Sequence, residues 1–177
     1  MINKLIFLLL LSVSSQVLAD GFFLSSTDIK GQIAKNQVFN SFGCTGRNIS
    51  PQLSWGNAPA GTKSFAVTMY DPDASTGSGW WHWVVFNIDK SVDSLKTGVS
   101  TKAMPAGAIE SASSYGIKGF GGACPPKGDK AHRYIITVFA LDAKKIEQNA
   151  DARPELIGFF INSHTIVKAS IMAYYGR

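Results

Sequence analysis

The chain has 177 residues, 45% of them hydrophobic and 16% charged, and carries 17 Lys and Arg against 12 Asp and Glu, a formal charge of +5. The basic side chains are scattered, from Lys30 and Arg47 to Lys118 and Lys144, which excludes the clustered stripe of a nucleic-acid binder. A small anionic ligand is permitted by that balance, not demanded.

At the start, Lys4 precedes an apolar stretch from Leu5 to Leu11 and a small-residue end at Val17-Leu18-Ala19. This is the pattern of a secretory signal, far shorter than the ~20 residues of a membrane-spanning helix. Cleavage after Ala19 is expected to leave residues 20–177 as one domain, periplasmic or secreted, with no integral membrane segment. Removal takes Lys4 and no acidic residue, so the positive balance stays mild. No internal repeat or low-complexity linker points to a second domain. The two cysteines, Cys44 and Cys124, both survive into an oxidising compartment, where a disulfide is the default. It would tie the loop before Asn48-Ile49-Ser50-Pro51 to the Cys124-Pro125-Pro126 turn. A metal site built on two thiols is the rival, but no Cys-x-x-Cys spacing supports it.

Period-two alternation dominates the body of the chain. Phe65, Val67 and Met69 alternate with Ala66, Thr68 and Tyr70, and Tyr134, Ile136 and Val138 with Ile135, Thr137 and Phe139, which predicts two buried strands. The apolar run Trp83 to Ile88, bounded by Gly77-Ser78-Gly79 and Asp89, predicts a central strand. From Ser91 to Gly122 the chain is rich in Gly, Ser, Ala and Thr without periodicity and predicts long surface loops, the usual home of sites on a β scaffold. A further turn or two of helix is expected within Ala143–Asn149. Pro154 suits a first helical turn, and Leu156, Ile157, Phe160 and Ile161 follow at helical spacing, which predicts a short helix over Arg153–Ser163. His164 at its end is a candidate for a cap contact. Val167, Ala169, Ile171, Ala173 and Tyr175 share one face of a last strand.

Two distant segments carry the candidate chemistry. Asp71-Pro72-Asp73 follows a strand, and proline fixes a rigid turn that aims both carboxylates, although such turns are also common in purely structural roles. His82 lies between Trp81 and Trp83 at the start of the central strand, where a lone histidine is ordinarily a packed core residue. Ten residues separate Asp71 from His82, enough to turn back and bring them side by side. The carboxylate would then fix the imidazole tautomer and favour the protonated ring, leaving a donor for an anion. His132 offers a second donor. Phe120-Gly121-Gly122 and Pro125-Pro126 would bring backbone amides and a rigid wall close to a ligand.

These residues, Asp71-Pro72-Asp73-Ala74, His82 and the run from Cys124-Pro125-Pro126 to His132-Arg133-Tyr134, resemble the phosphatidylethanolamine-binding protein family, also called Raf kinase inhibitor-like proteins. The segments Asn48 to Trp55 and Gly119 to Pro126 are similar to its bacterial YbhB/YbcL branch, and the export signal makes the chain most similar to the periplasmic kind. The resemblance runs from about Phe23 to Tyr175. It implies a mainly β fold, a large antiparallel sheet packed on a smaller one with a few short peripheral helices, and a pocket for phosphate or phosphoethanolamine-like anions. By matching motif, Asp71, His82 and His132 would line that pocket, with Trp80, Trp81, Phe120, Pro125 and Tyr115 as wall or rim. Asp73 would brace the turn, and Arg133 would pair with Asp71 or Asp73. Ser75 departs from the proline of many relatives, which leaves the rim of the turn looser.

Two classes of function stay open on these residues. One is a non-catalytic module that binds a small anion or phospho-headgroup and modulates a protein partner, needing no cofactor or metal. It is favoured by hydrogen-bond donors and aromatic walls without a Gly-x-Ser-x-Gly elbow or a His-Glu-x-x-His pair. The other is a hydrolase or other enzyme in which Asp71 and His82 act on a water or hydroxyl, or both histidines and a carboxylate grip a metal for hydrolysis. A secreted inhibitor acting through a surface outside the pocket is a third reading. A homodimer through Trp80 or Trp81 is compatible with each.

Overall fold

The computed structural model describes residues 21–177, so the expected signal at residues 1–19 lies outside the described part. The elements run β1 (Phe23–Ser25), β2 (Leu53–Gly56), β3 (Ser64–Asp71), β4 (Trp80–Asp89), β5 (Ser94–Leu95), β6 (Ile109–Glu110), β7 (His132–Leu141), α1 (Pro154–Ser163) and β8 (Thr165–Tyr175), with one 3-10 turn at Lys35–Gln37. They form two antiparallel sheets, a three-stranded one ordered β1-β2-β5 and a five-stranded one ordered β6-β4-β3-β7-β8.

Apolar side chains on both faces of the larger sheet explain its central position. Val67, Met69, Trp83, Val85, Ile136 and Val138 meet Leu53, Trp55 and Leu95 of the smaller sheet. On the opposite face, Ala66, Val84, Phe86 and Leu141 meet Ile157 and Ile161 of α1. Each fully buried Val, Leu or Ile contributes about 1.5–3 kcal/mol, and this double burial is why β4 reads as an apolar run interrupted only by Asn87. Pro154 opens α1 after an extended Arg153, as its fixed φ favours. Gly158 lets the helix settle on the Trp81 ring, since a Cβ there would stand 3.1 Å from it. Among the described residues, no helix is long and apolar enough to cross a membrane.

Two irregularities in the β3–β4 pairing shape the molecule. Phe65 faces Ile88 and Val67 faces Val85, so β4 gains a residue around Asn87. Asn87 takes the left-handed φ of 58° that asparagine tolerates. Its side chain then holds Ile146, accepting from the Ile146 N–H at 2.7 Å and donating to its carbonyl at 3.1 Å. That clamp keeps Ala143–Asn149 non-helical, contrary to the expected turn or two of helix, because the Ile146 backbone is bound across to β4. Further along, Met69 faces Trp83 while Tyr70 faces Trp81, leaving His82 as the extra residue of a β-bulge.

The expected loops of Ser91–Gly122 are largely loops, yet β5 and β6 add a two-residue strand to the edge of each sheet. The last strand begins earlier than its alternation suggests, at Thr165.

Candidate functional site

At one end of the larger sheet, the last residue of β3, the first residues of β4 and the first residue of β7 converge on a cavity of about 300 Å3. Asp71, His82 and His132 form its polar floor, each nearly inaccessible to solvent. Asp71 Oδ1 accepts the Asp73 N–H at 2.8 Å, an Asx turn that locks the Asp71-Pro72-Asp73 corner. Its Oδ2 lies 2.7 Å from His132 Nδ1, so the carboxylate fixes that ring with a proton on Nδ1. His132 Nε2 lies 3.5 Å from the Asp129 carboxylate.

His82 is held differently. Its Nδ1 points at the carbonyls of Gly121 (2.8 Å) and Gly122 (3.1 Å); carbonyls only accept, so Nδ1 carries the proton. Nε2 is buried and has no partner. Burial holds the imidazole pKa down, from 6.5 to about 4, against the opposing pull of the Gly121 carbonyl and the Asp71 charge. The two glycines are needed for this approach: a Cβ on Gly122 would strike the Gln37 carbonyl and the Phe39 N–H, and one on Gly121 would strike the Tyr115 ring. Burial likewise pushes the hydroxyls of Tyr115 and Tyr134 well above the usual phenol range, so both stay neutral, and the Tyr134 hydroxyl, like His82 Nε2, has no partner.

The rim is built from loops. Tyr115 stacks on Phe39 with ring centres 4.1 Å apart, meets Trp80 and His82 edge-on, and donates its hydroxyl to the Gly122 carbonyl at 3.1 Å. Phe42, 67% exposed and at φ 54°, stands over Tyr115. Cys124, Pro125 and Pro126 form the facing wall, and Ala74, Ser75 and Thr76 close the side. The Cys44–Cys124 disulfide, with Cα atoms 5.9 Å apart, ties the Phe42 loop to the proline turn. Arg177 braces the same junction, donating from Nε to the Pro125 carbonyl and from a terminal nitrogen to the Gly43 carbonyl.

Of the residues expected here, Asp71, His82, His132, Trp80, Tyr115 and Pro125 converge on the cavity. Trp81 does not. Strand alternation turns it to the opposite face, against Tyr70 and Gly158, so it is half-buried under α1 and walls nothing. Phe120 is also outside, packed edge-on against Trp83 in the core between the sheets. The expected Asp71–His82 pair is replaced by Asp71–His132, because the bulge hands the His82 ring to the glycine carbonyls. Nor is His82 favoured in its protonated form. The Gly121 and Gly122 amides do not face a ligand: they donate to the His82 carbonyl and to Asn48 Oδ1. Arg133 pairs with Asp73 and not Asp71, through its Nε and one terminal nitrogen at 2.9 and 2.6 Å, and this holds the Asp73 carboxyl down at about 2. Sequence reasoning missed Phe42 and Thr76, which carry no pattern of their own. The disulfide linking Phe42's loop to the wall was the available signal for the former.

Comparison with known proteins identifies the family and the fold. The family model described as phosphatidylethanolamine-binding protein matches residues 29–176. The UPF0098 protein YbcL of Escherichia coli (strain K12) is 46% identical over 162 residues, covering 89% of this chain and 88% of that protein. YbhB of the same organism is 46% identical over 156 residues, covering 86% and 98%. The crystal structure of E. coli YbcL superposes with a TM-score of 0.86 at 45% identity, covering 88% of this chain and 98% of that one. With two antiparallel sheets and the match running over nearly every described residue, the chain belongs to the phosphatidylethanolamine-binding protein family, in the company of YbcL and YbhB.

Proposed function

We propose that this chain is an exported binding protein whose pocket holds a small anion or a phosphorylated headgroup of the phosphoethanolamine type, and that occupancy modulates a protein partner. One observation carries the reading: His82, a wall of the cavity, keeps a buried ring nitrogen without a partner. Burying such a group without a partner costs about 1–3 kcal/mol, which a ligand relieves. A volume of about 300 Å3 suits a phosphate with a short substituent. Phe42, exposed at the rim beside Trp80, is the surface through which a partner would sense an occupied cavity. Export is supported by the Met1–Ala19 pattern and by a disulfide that an oxidising compartment preserves.

Titration with inorganic phosphate and with phosphoethanolamine, followed by NMR of the imidazole resonances, tests the proposal. Saturable shifts of His82 and His132 are expected; if both histidines stay unmoved by either compound, the reading fails. Hydrolysis has one feature in its favour, the carboxylate-fixed His132 ring at the cavity wall, a common arrangement of a general base. Release of inorganic phosphate from phosphoethanolamine during the same titration would move the function to that class.

A further inference from the structure

The cavity walls contain no lysine and no arginine. A site for an oxyanion ordinarily supplies a permanent cation, because a buried charge without compensation is expensive. Here the titratable groups of the walls are Asp71, His82, His132 and Tyr115, Cys124 being locked in the disulfide. Asp71 is itself an anion, and His132 spends its Nδ1 proton on that carboxylate. The remaining nitrogen able to gain a proton and present it to a ligand without an internal acceptor is His82 Nε2, since His132 Nε2 already lies beside Asp129. Because the Gly121 and Gly122 carbonyls hold the proton on Nδ1, the neutral ring offers Nε2 as an acceptor, which repels an oxyanion. Adding a proton to Nε2 converts it to a charged donor.

Resting on the binding function proposed above, we infer that the pocket takes its oxyanion together with one proton, carried on His82 Nε2, and therefore selects singly charged oxyanions over dianions. The groups facing His82 are consistent with this. From β3, the Asp71 charge favours the imidazolium; from β7, His132 opposes it, and Tyr134 packs edge-on against the ring with its hydroxyl neutral. From the loop after β6, Tyr115 is neutral and the two carbonyls favour the protonated ring. In the unliganded protein burial outweighs these pulls and keeps His82 neutral; an oxyanion at Nε2 adds the missing attraction. Proton and anion enter as a pair without net charge, which lowers the cost of burying either.

Dimethyl phosphate, a monoanion throughout, and sulfate, a dianion throughout, separate protonation of the protein from protonation of the ligand. Calorimetry of dimethyl phosphate binding in two buffers of different ionisation enthalpy should show uptake of about one proton above neutrality. The affinity should fall by up to about tenfold per pH unit across the range of about pH 5 to 8. Sulfate should bind at least about tenfold more weakly, one charge being left uncompensated. His82→Gln, whose amide donates without titrating, should bind dimethyl phosphate with no proton uptake and a flat pH profile. If that variant fails to fold, nitrogen-15 shifts of the His82 ring in the unaltered protein decide the matter, since Nε2 must change from acceptor to protonated on binding. Binding without proton uptake, uptake that persists in His82→Gln, or an unprotonated Nε2 in the complex overturns the inference and leaves the binding function standing. No binding of dimethyl phosphate, sulfate, phosphate or phosphoethanolamine at any pH overturns the function itself.

Discussion

The floor and the rim of the cavity are made by different physics. Asp71, His82 and His132 stand on β3, β4 and β7, with β3 hydrogen-bonded to β4 on one side and β7 on the other, so their spacing is set by the two ladders and by one bulge. Phe42, Tyr115, Cys124 and Pro125 stand on loops; a single parallel bridge between Val38 and Ala123 pairs the Phe42 loop with the segment before Pro125, and the disulfide crosslinks the same two segments. Chemistry and shape are therefore open to separate perturbation: the floor through its proton and carboxylate, the rim through its crosslink.

Removing the bridge is the harshest test of that separation. The disulfide spans 80 residues, for which loop-closure entropy gives about 4 to 5 kcal/mol, an upper figure that ignores any strain. A Cys44→Ser, Cys124→Ser double variant should lose most of that in urea unfolding while keeping the His132–Asp71 resonances of a folded floor. Loss of those resonances under folding conditions would show that floor and rim are one cooperative unit. Cutting the floor is nearly as costly. Asp71→Ala strands the buried His132 ring and removes the acceptor of the Asp73 N–H, for an expected loss of about 3–5 kcal/mol. Here the disulfide should persist, and a thiol count should find no free cysteine.

How much of this was legible in the sequence follows the same division. β3, β7 and β8 announce themselves through alternation and β4 through an apolar run between turn residues, because β4 buries both its faces. Asp71, His82 and His132 announce themselves as polar residues at the ends of those runs. Which histidine takes the carboxylate was not legible, since it depends on a register slip between Met69 and Tyr70 that no periodicity records. Trp81 was misplaced although alternation was available: residues 80 and 82 share a side, and 81 must take the other. Phe120 was misplaced because an apolar residue beside two glycines looks the same whether it lines a cavity or anchors the loop behind it. Asn87 hid its clamp on Ile146 for a similar reason, being one polar residue in an apolar run. The Ala143–Asn149 segment, with helix-compatible residues, was overruled by that tertiary clamp.

The gentlest perturbation needs no mutation, because pH acts on the floor and leaves the crosslink untouched. His82 titrates near 6.5 in the unfolded chain and at about 4 in the folded protein, held down first by burial. Between these values the unfolded state binds the extra proton, so folding stability is complete above the unfolded pKa and falls as pH drops toward the folded one. A shift of this size corresponds to about 3 kcal/mol lost by pH 4, on top of whatever the other groups contribute. Urea midpoints measured from pH 7 down to pH 4 should show it. His82→Gln should flatten that slope irrespective of its own effect on stability, and saturating dimethyl phosphate should flatten it from the other side, by holding the folded protein's imidazole charged. A slope unchanged by His82→Gln would move the buried titration to another residue. It would also remove the reason for expecting the floor, and not the rim, to respond to acid.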